Sequence, residues 1–270
     1  MRQLLLVSTL SAALASPLQA QADAWWRHVT ALAHDSMAGR NAGSPEHRKA
    51  ALYVADHFRK AGLEPAGTDG FLQPVMFIRR SLDESRSSLT LVHGTQREPL
   101  VLGEDAAFVL RAPLAAQARG RVVYAGYGLQ LPEYGHDDLA GLDLRGKIVA
   151  YSTGLPKGIP GPVVSHARNQ AWTAFRARGA IGMLVFAGSV RADTTFIRTV
   201  RNRLSPQMTL SDSSLDVQDG NTLSLQFNAA RAERLFASAP QTYAAVAALA
   251  DSGRPLPRFD LNVELDARAS

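Results

Sequence analysis

The residues of this chain that come nearest to a chemical constellation are His136, Asp137 and Asp138, where a histidine and a carboxylate stand in His-x-Asp spacing. Zinc takes such nitrogen and oxygen ligands, but a hydrolytic site needs several of them converging, with a further carboxylate to deprotonate the bound water. The surroundings give these residues a simpler use. A stretch rich in Pro, Gly and Asp runs from Leu131 to Asp143, and an aspartate in such a loop caps a turn by accepting backbone N–H groups. Asp137 or Asp138 is therefore expected to hold a turn rather than a metal. The remaining histidines offer less: His28 and His34 flank one expected helix, His47 and His57 lie on another, and His93 and His166 fall in loops. Each reads as a surface or hydrogen-bonded side chain, and Glu46 beside His47 reads as first-turn helix electrostatics.

Other chemical engines are missing from the sequence. It contains no Glu-Glu pair, no His-Glu-x-x-His and no Gly-x-Ser-x-Gly, so neither a zincin helix nor a hydrolase elbow is written into it. It contains no cysteine, which excludes disulfide frameworks, thiolate zinc sites and cysteine nucleophiles together. No residue is assigned a catalytic, cofactor-binding or metal-ligating role. The 270 residues are 46% apolar and 20% charged, an ordinary globular balance with room for one large or two modest domains. The formal charge of +5 comes mainly from arginine, with Lys49, Lys60, Lys147 and Lys157 as the lysines. These charges are scattered, which argues against a nucleic-acid footprint. The one local basic run, Arg191, Arg198, Arg201 and Arg203, reads as a solvated face, with an acidic partner as the alternative.

The first residues are expected to lie outside the fold. Arg2, the apolar run Leu4 to Ala15 and the small-x-small site Ala20-Gln21-Ala22 form the pattern of a signal peptide over 1–22, cleaved before Asp23. The apolar run is too short to anchor in a bilayer, and the expected product is secreted or periplasmic, without a membrane anchor.

Stepping along the rest, Trp25, Val29, Leu32 and Ala33 recur at helical spacing, with Trp25 and Trp26 expected to anchor that helix in the core. A second helix is capped by Ser44, has Pro45 at its first position, buries Ala51, Ala55 and Phe58, and closes at Gly62. Strands are expected at Phe71 to Ile78, Leu89 to Val92, Phe108 to Leu110, Arg121 to Ala125 and Lys147 to Ser152. The prolines and glycines from Gly154 to Pro162 make an extended connection ending near Ser165. A helix at Asn169 to Arg178 then stops at Gly179 and feeds the apolar strand Ile181 to Phe186, an αβ unit whose strand is buried on both faces. A strand at Thr222 to Phe227, helices at Ala230 to Ala237 and Gln241 to Asp251, and a last strand at Phe259 to Leu265 complete the reading.

Two patches carry a resemblance. Ala31-Leu-Ala-His-Asp-Ser-Met-Ala-Gly-Arg40, with Gly43-Ser44, the helix through Ala50 to Phe58, Ala61-Gly-Leu-Glu-Pro65 and Phe71-Leu-Gln73, resembles the start of the catalytic domain of secreted di-zinc aminopeptidases of metallopeptidase family 28. The run from Val122 to Val149, followed by Asn169 to Phe186, resembles the protease-associated (PA) domain inserted in those enzymes. The resemblance implies an α/β (α+β) chain: signal peptide 1–22, an incomplete helix-helix-strand start of a peptidase domain over 23–105, a β-rich PA domain with flanking helices over 106–258, and a return strand over 259–270 toward a missing catalytic half. In that family the zinc ligands, a His-x-Asp, a bridging Asp, a Glu-Glu pair, a further carboxylate and a late His, come after the return. The expectation is thus the N-terminal and PA portion of an exported zinc aminopeptidase-like protein, inactive as it stands, with zinc implied only for a complete member and a peptide or protein as its substrate. The alternative is a free-standing PA-type module that binds peptides or proteins without catalysis.

Overall fold

The structure, a computed structural model, describes residues 22–187 and 192–270. All but the last residue of the expected signal segment, and Arg191 of the basic run, lie outside the described residues. The chain divides into two units, Met1–Val75 and Met76–Ser270.

In the first unit, helix α1 covers 22–32, a 3-10 turn covers Asp35–Arg40, and helix α2 covers Pro45–Lys60. The second helix begins as its sequence dictates, with the Ser44 hydroxyl accepting from His47 N at 3.1 Å and Pro45 just inside the end. It closes through Gly62 at φ +78°, whose N–H reaches Arg59 O while Leu63 N reaches Phe58 O. The expected buried face is only partly realised. Ala50, Ala55 and Met37 are buried, but Phe58 is 45% exposed, and Trp25 and Trp26, expected in the core, are 62% and 60% exposed. The unit has too few elements to cover both sides of its helices. Limited proteolysis of the mature chain should accordingly cut within 23–75 well before it cuts the second unit, because segments with few buried contacts open at low cost. Initial cleavage confined to the second unit would refute this.

The expected strand at Phe71 to Ile78 is shortened. Asp69 and Leu72 bridge each other in a tight turn, and Pro74 lacks the N–H a ladder requires. Pairing starts only at β1 (Phe77–Arg80), in the second unit.

The strands of that unit continue with β2 (Ser88–His93), β3 (Gln96–Leu100), β4 (Ala106–Phe108), β5 (Gln117–Ala125), β6 (Gln130–Leu131), β7 (His136–Asp137), β8 (Ile148–Ser152), β9 (Gly182–Phe186), β10 (Gln207–Leu210), β11 (Leu223–Phe227) and β12 (Arg258–Arg268). Among them run α3 (Gly161–Asn169), α4 (Ala171–Arg176), α5 (Ala192–Asn202), α6 (Glu233–Phe236) and α7 (Tyr243–Asp251). Eight strands form one sheet in the order β3-β2-β12-β5-β8-β9-β11-β4, parallel from β5 through β11 and antiparallel elsewhere. The fold is mixed α and β. The apolar run of β8 is buried at all of its positions, as a parallel strand covered on both faces must be.

Side-chain alternation along the strands divides the core in two. Val123, Val149 and Tyr151 face one way and pack with Trp172 and Phe175 of α4. Val122, Tyr124, Ile148 and Ala150 face the other way, where Phe186, Phe227, Phe236 and Tyr243 join them. The last strand, β12, lies between β2 and β5 rather than leaving the unit. The unit begins at Met76, and the strands on either side of 105/106 and 258/259 share one hydrogen-bonded sheet. The proline-rich connection also ends sooner than its composition implied: α3 starts at Gly161 with Pro162 in its first turn, where a missing N–H does no harm. A break at Gln170 then separates it from α4.

Candidate functional site

The stretch joining β5 to β8 contains the one His-x-Asp of the sequence, and its geometry is that of a clasp. Gly126 and Gly128 take positive φ (+55° and +67°), so the chain after β5 turns sharply and aims the N–H groups of Tyr127 and Leu129 at one point. Asp138, 5% exposed, occupies that point. Its Oδ2 accepts from Tyr127 N at 3.0 Å and Leu129 N at 3.2 Å and faces Nε2 of His136 at 2.9 Å, while its own N–H returns to Leu129 O. An ionised carboxylate only accepts, so Nε2 carries the proton in this pair. Asp137 plays the lesser part, its Oδ1 accepting from Leu139 N at 2.8 Å. Arg258, at the start of β12, ties the loop down through Asp137 O and Ala140 O. The turn-capping role expected for Asp137 or Asp138 is what both perform.

Burial sets the electrostatics here. It pushes the Asp138 carboxyl above its ordinary value, against the lowering pull of His136 and the two backbone donors. Burial, and then the charge of Asp138, push the Tyr127 phenol up to about 12, and its hydroxyl donates to Arg254 O at 2.8 Å. Tyr124 is buried more deeply, its phenol also raised, and shares a 2.8 Å hydrogen bond with Ser152. These hydroxyls stay protonated at neutral pH, that of Tyr127 holding a backbone carbonyl and that of Tyr124 a side-chain hydroxyl. A methyl group at Gly126 would stand 2.9 Å from Asp138 Oδ1 on a backbone that side chains resist. Gly126→Ala should therefore cost about 2 to 4 kcal/mol of stability, measurable by urea denaturation; a loss below about 1 kcal/mol would mean the turn relaxes freely.

Zinc, which the resemblance implies for a complete family member, does not fit this arrangement. The oxygen of Asp138 nearest His136 already receives backbone N–H groups, and Nε2 of His136 points at that oxygen. Among the described residues no group of three His, Asp or Glu side chains stands together in a way that would hold a metal ion. His28 instead meets the Tyr53 hydroxyl at 2.9 Å, with the His57 ring edge-on to it, and His34 caps the 3-10 turn through Ser36 N.

The basic run fares differently from its sequence reading. Arg198 and Arg201 are exposed on α5, as a solvated face should be, but Arg203 is anchored by Glu84 at 2.8 Å. Arg198 and Arg203 line one cleft with Arg111, which follows β4. Arg111 is far from the run in sequence, so no local pattern signals this grouping.

No family model and no curated protein sequence matches the chain. Among solved structures, an aminopeptidase from Aneurinibacillus sp. strain AM-1 is similar over 91% of this chain, with 16% identity and a TM-score of 0.42. The chain spans 43% of the length of that protein. At this level the likeness assigns no residue a role.

Proposed function

We propose that this chain is the N-terminal and protease-associated portion of an exported zinc aminopeptidase-like protein, and that the described residues serve folding and peptide or protein binding rather than hydrolysis. The observation that carries the reading is the clasp. The stretch that resembles a PA domain, Val122 to Val149, folds as two adjacent parallel strands joined by a loop in which Asp137 and Asp138 are engaged with backbone N–H groups. That is the structural use of those residues, and it leaves them no hydrolytic one. No reaction step is assigned to the described residues, and the cation pair of such an enzyme would be held by other side chains than these.

The test uses the purified mature chain. Zinc content measured by atomic absorption should be negligible, and aminoacyl arylamides should not be cleaved above background. Robust, chelator-sensitive release would overturn the proposal. The second reading, a free-standing module that binds peptides or proteins without catalysis, is favoured by one observation, the arginine-lined cleft.

A further inference from the structure

On the second unit, the segment after β4, the end of α5 and the start of β10 enclose a cleft of about 480 Å³. Phe108 and Leu110 back it from the core, 2% and 5% exposed. Among the described residues its charged lining side chains are Arg111, Arg198 and Arg203, with no carboxylate. Arg203 is fixed in place, with Nε on Glu84 and Nη1 on Val200 O at 2.8 Å each. Arg111 and Arg198 are exposed and form no ion pair among the described residues. Thr199 Oγ1 donates to Oε1 of the largely buried Gln226 at 2.5 Å. A second cleft, of about 400 Å³, shares Leu110 and adds Arg79 and Arg80. Arg80 is the register partner of Gln207 across β1 and β10, and Gln207 also lines the first cleft.

The charged side chains of the groove are all guanidinium forks, which match carboxylates in charge and shape. Bases would need an aromatic platform on which to stack, and the one aromatic ring here, Phe108, is buried. We propose that this groove binds an acidic peptide segment, Arg111 and Arg198 holding its carboxylates. The inference is independent of the aminopeptidase reading, since it rests on the groove alone.

The test is fluorescence anisotropy on the mature chain with a labelled Glu-Leu-Glu-Leu-Glu peptide. Binding should weaken as sodium chloride rises from about 50 to 300 mM, because the pairs lie at the surface. Arg111→Gln with Arg198→Gln should weaken it roughly ten-fold. Arg145→Gln with Arg176→Gln removes the same charge from exposed sites outside the groove and should change it less than about two-fold. Arg111→Glu with Arg198→Glu should transfer preference to Lys-Leu-Lys-Leu-Lys, a gain that misfolding cannot produce. The proposal is overturned if the acidic peptide does not bind, if both Gln pairs weaken it equally, if the Glu pair leaves preference unchanged, or if a short oligonucleotide binds more tightly than the peptide.

Discussion

Phe186→Ala is expected to lower the stability of the second unit by about 3 to 5 kcal/mol, the cost of deleting a large buried ring whose surroundings cannot collapse into the gap. Phe186 ends β9 with none of its surface exposed. Around it stand Tyr124 at 6.5 Å, Phe227 at 5.9 Å, Phe236 at 5.6 Å and Tyr243 at 5.1 Å between ring centroids. Those rings come from β5, β11, α6 and α7, so one side chain joins sheet and helices, and its loss is felt by all of them. For a unit of this size the melting temperature should fall by roughly 10 to 15 °C. Phe186→Leu, which retains most of the volume, should cost less than about 2 kcal/mol. Scanning calorimetry of both variants decides the matter, and equal melting temperatures for Ala and wild type would remove Phe186 from the centre of the core.

Asp138→Ala should cost about 2 to 5 kcal/mol, because it strands the N–H groups of Tyr127 and Leu129 in a site water does not reach. Asp138→Asn keeps an acceptor and should cost less. The two also separate in their pH dependence. The folded carboxyl is raised above 3.8 by burial, so the folded state holds this proton more tightly than the unfolded state does. The stability it contributes is fully present below the ordinary aspartate value and is lost as pH rises through the raised one. An amide has no such proton. The stability of wild type relative to Asp138→Asn should therefore be most favourable in acid and decline with rising pH across that window, as followed by urea denaturation at a series of pH values. A difference that grows with pH would reverse the assignment of burial as the dominant cause.

Much of the local structure was legible in the sequence. Ser44, Pro45 and Gly62 bounded α2 because capping and left-handed closure are properties of the residues themselves. The apolar run of β8 was recognisable because a strand covered on both faces admits few polar side chains, while β9, expected to be buried on both faces, alternates buried and half-buried positions. The capping use of Asp137 and Asp138 followed from a Pro/Gly/Asp loop between two strands. Other readings failed where a neighbour decided the outcome. Periodicity placed Trp25, Trp26 and Phe58 on apolar faces, yet within their own unit little packs against them and they remain exposed. The basic run was given a solvated face but no element, whereas α5 extends over Ala192–Asn202 and the short β10 follows it. That strand exists through its pairing with β1, more than a hundred residues earlier.

The sequence by itself determined where α2 begins and ends, that β8 is wholly buried and which acids cap a turn, since each of these depends on side chains a few positions apart. Only the tertiary structure decided that β12 enters the sheet between β2 and β5, and that Arg111 meets Arg198 and Arg203 around one cleft. Strand edges present interchangeable N–H and C=O groups, so which edges pair is settled by packing across the whole unit. The guanidinium groups are then brought together by that packing, with nothing in their immediate sequence to announce it.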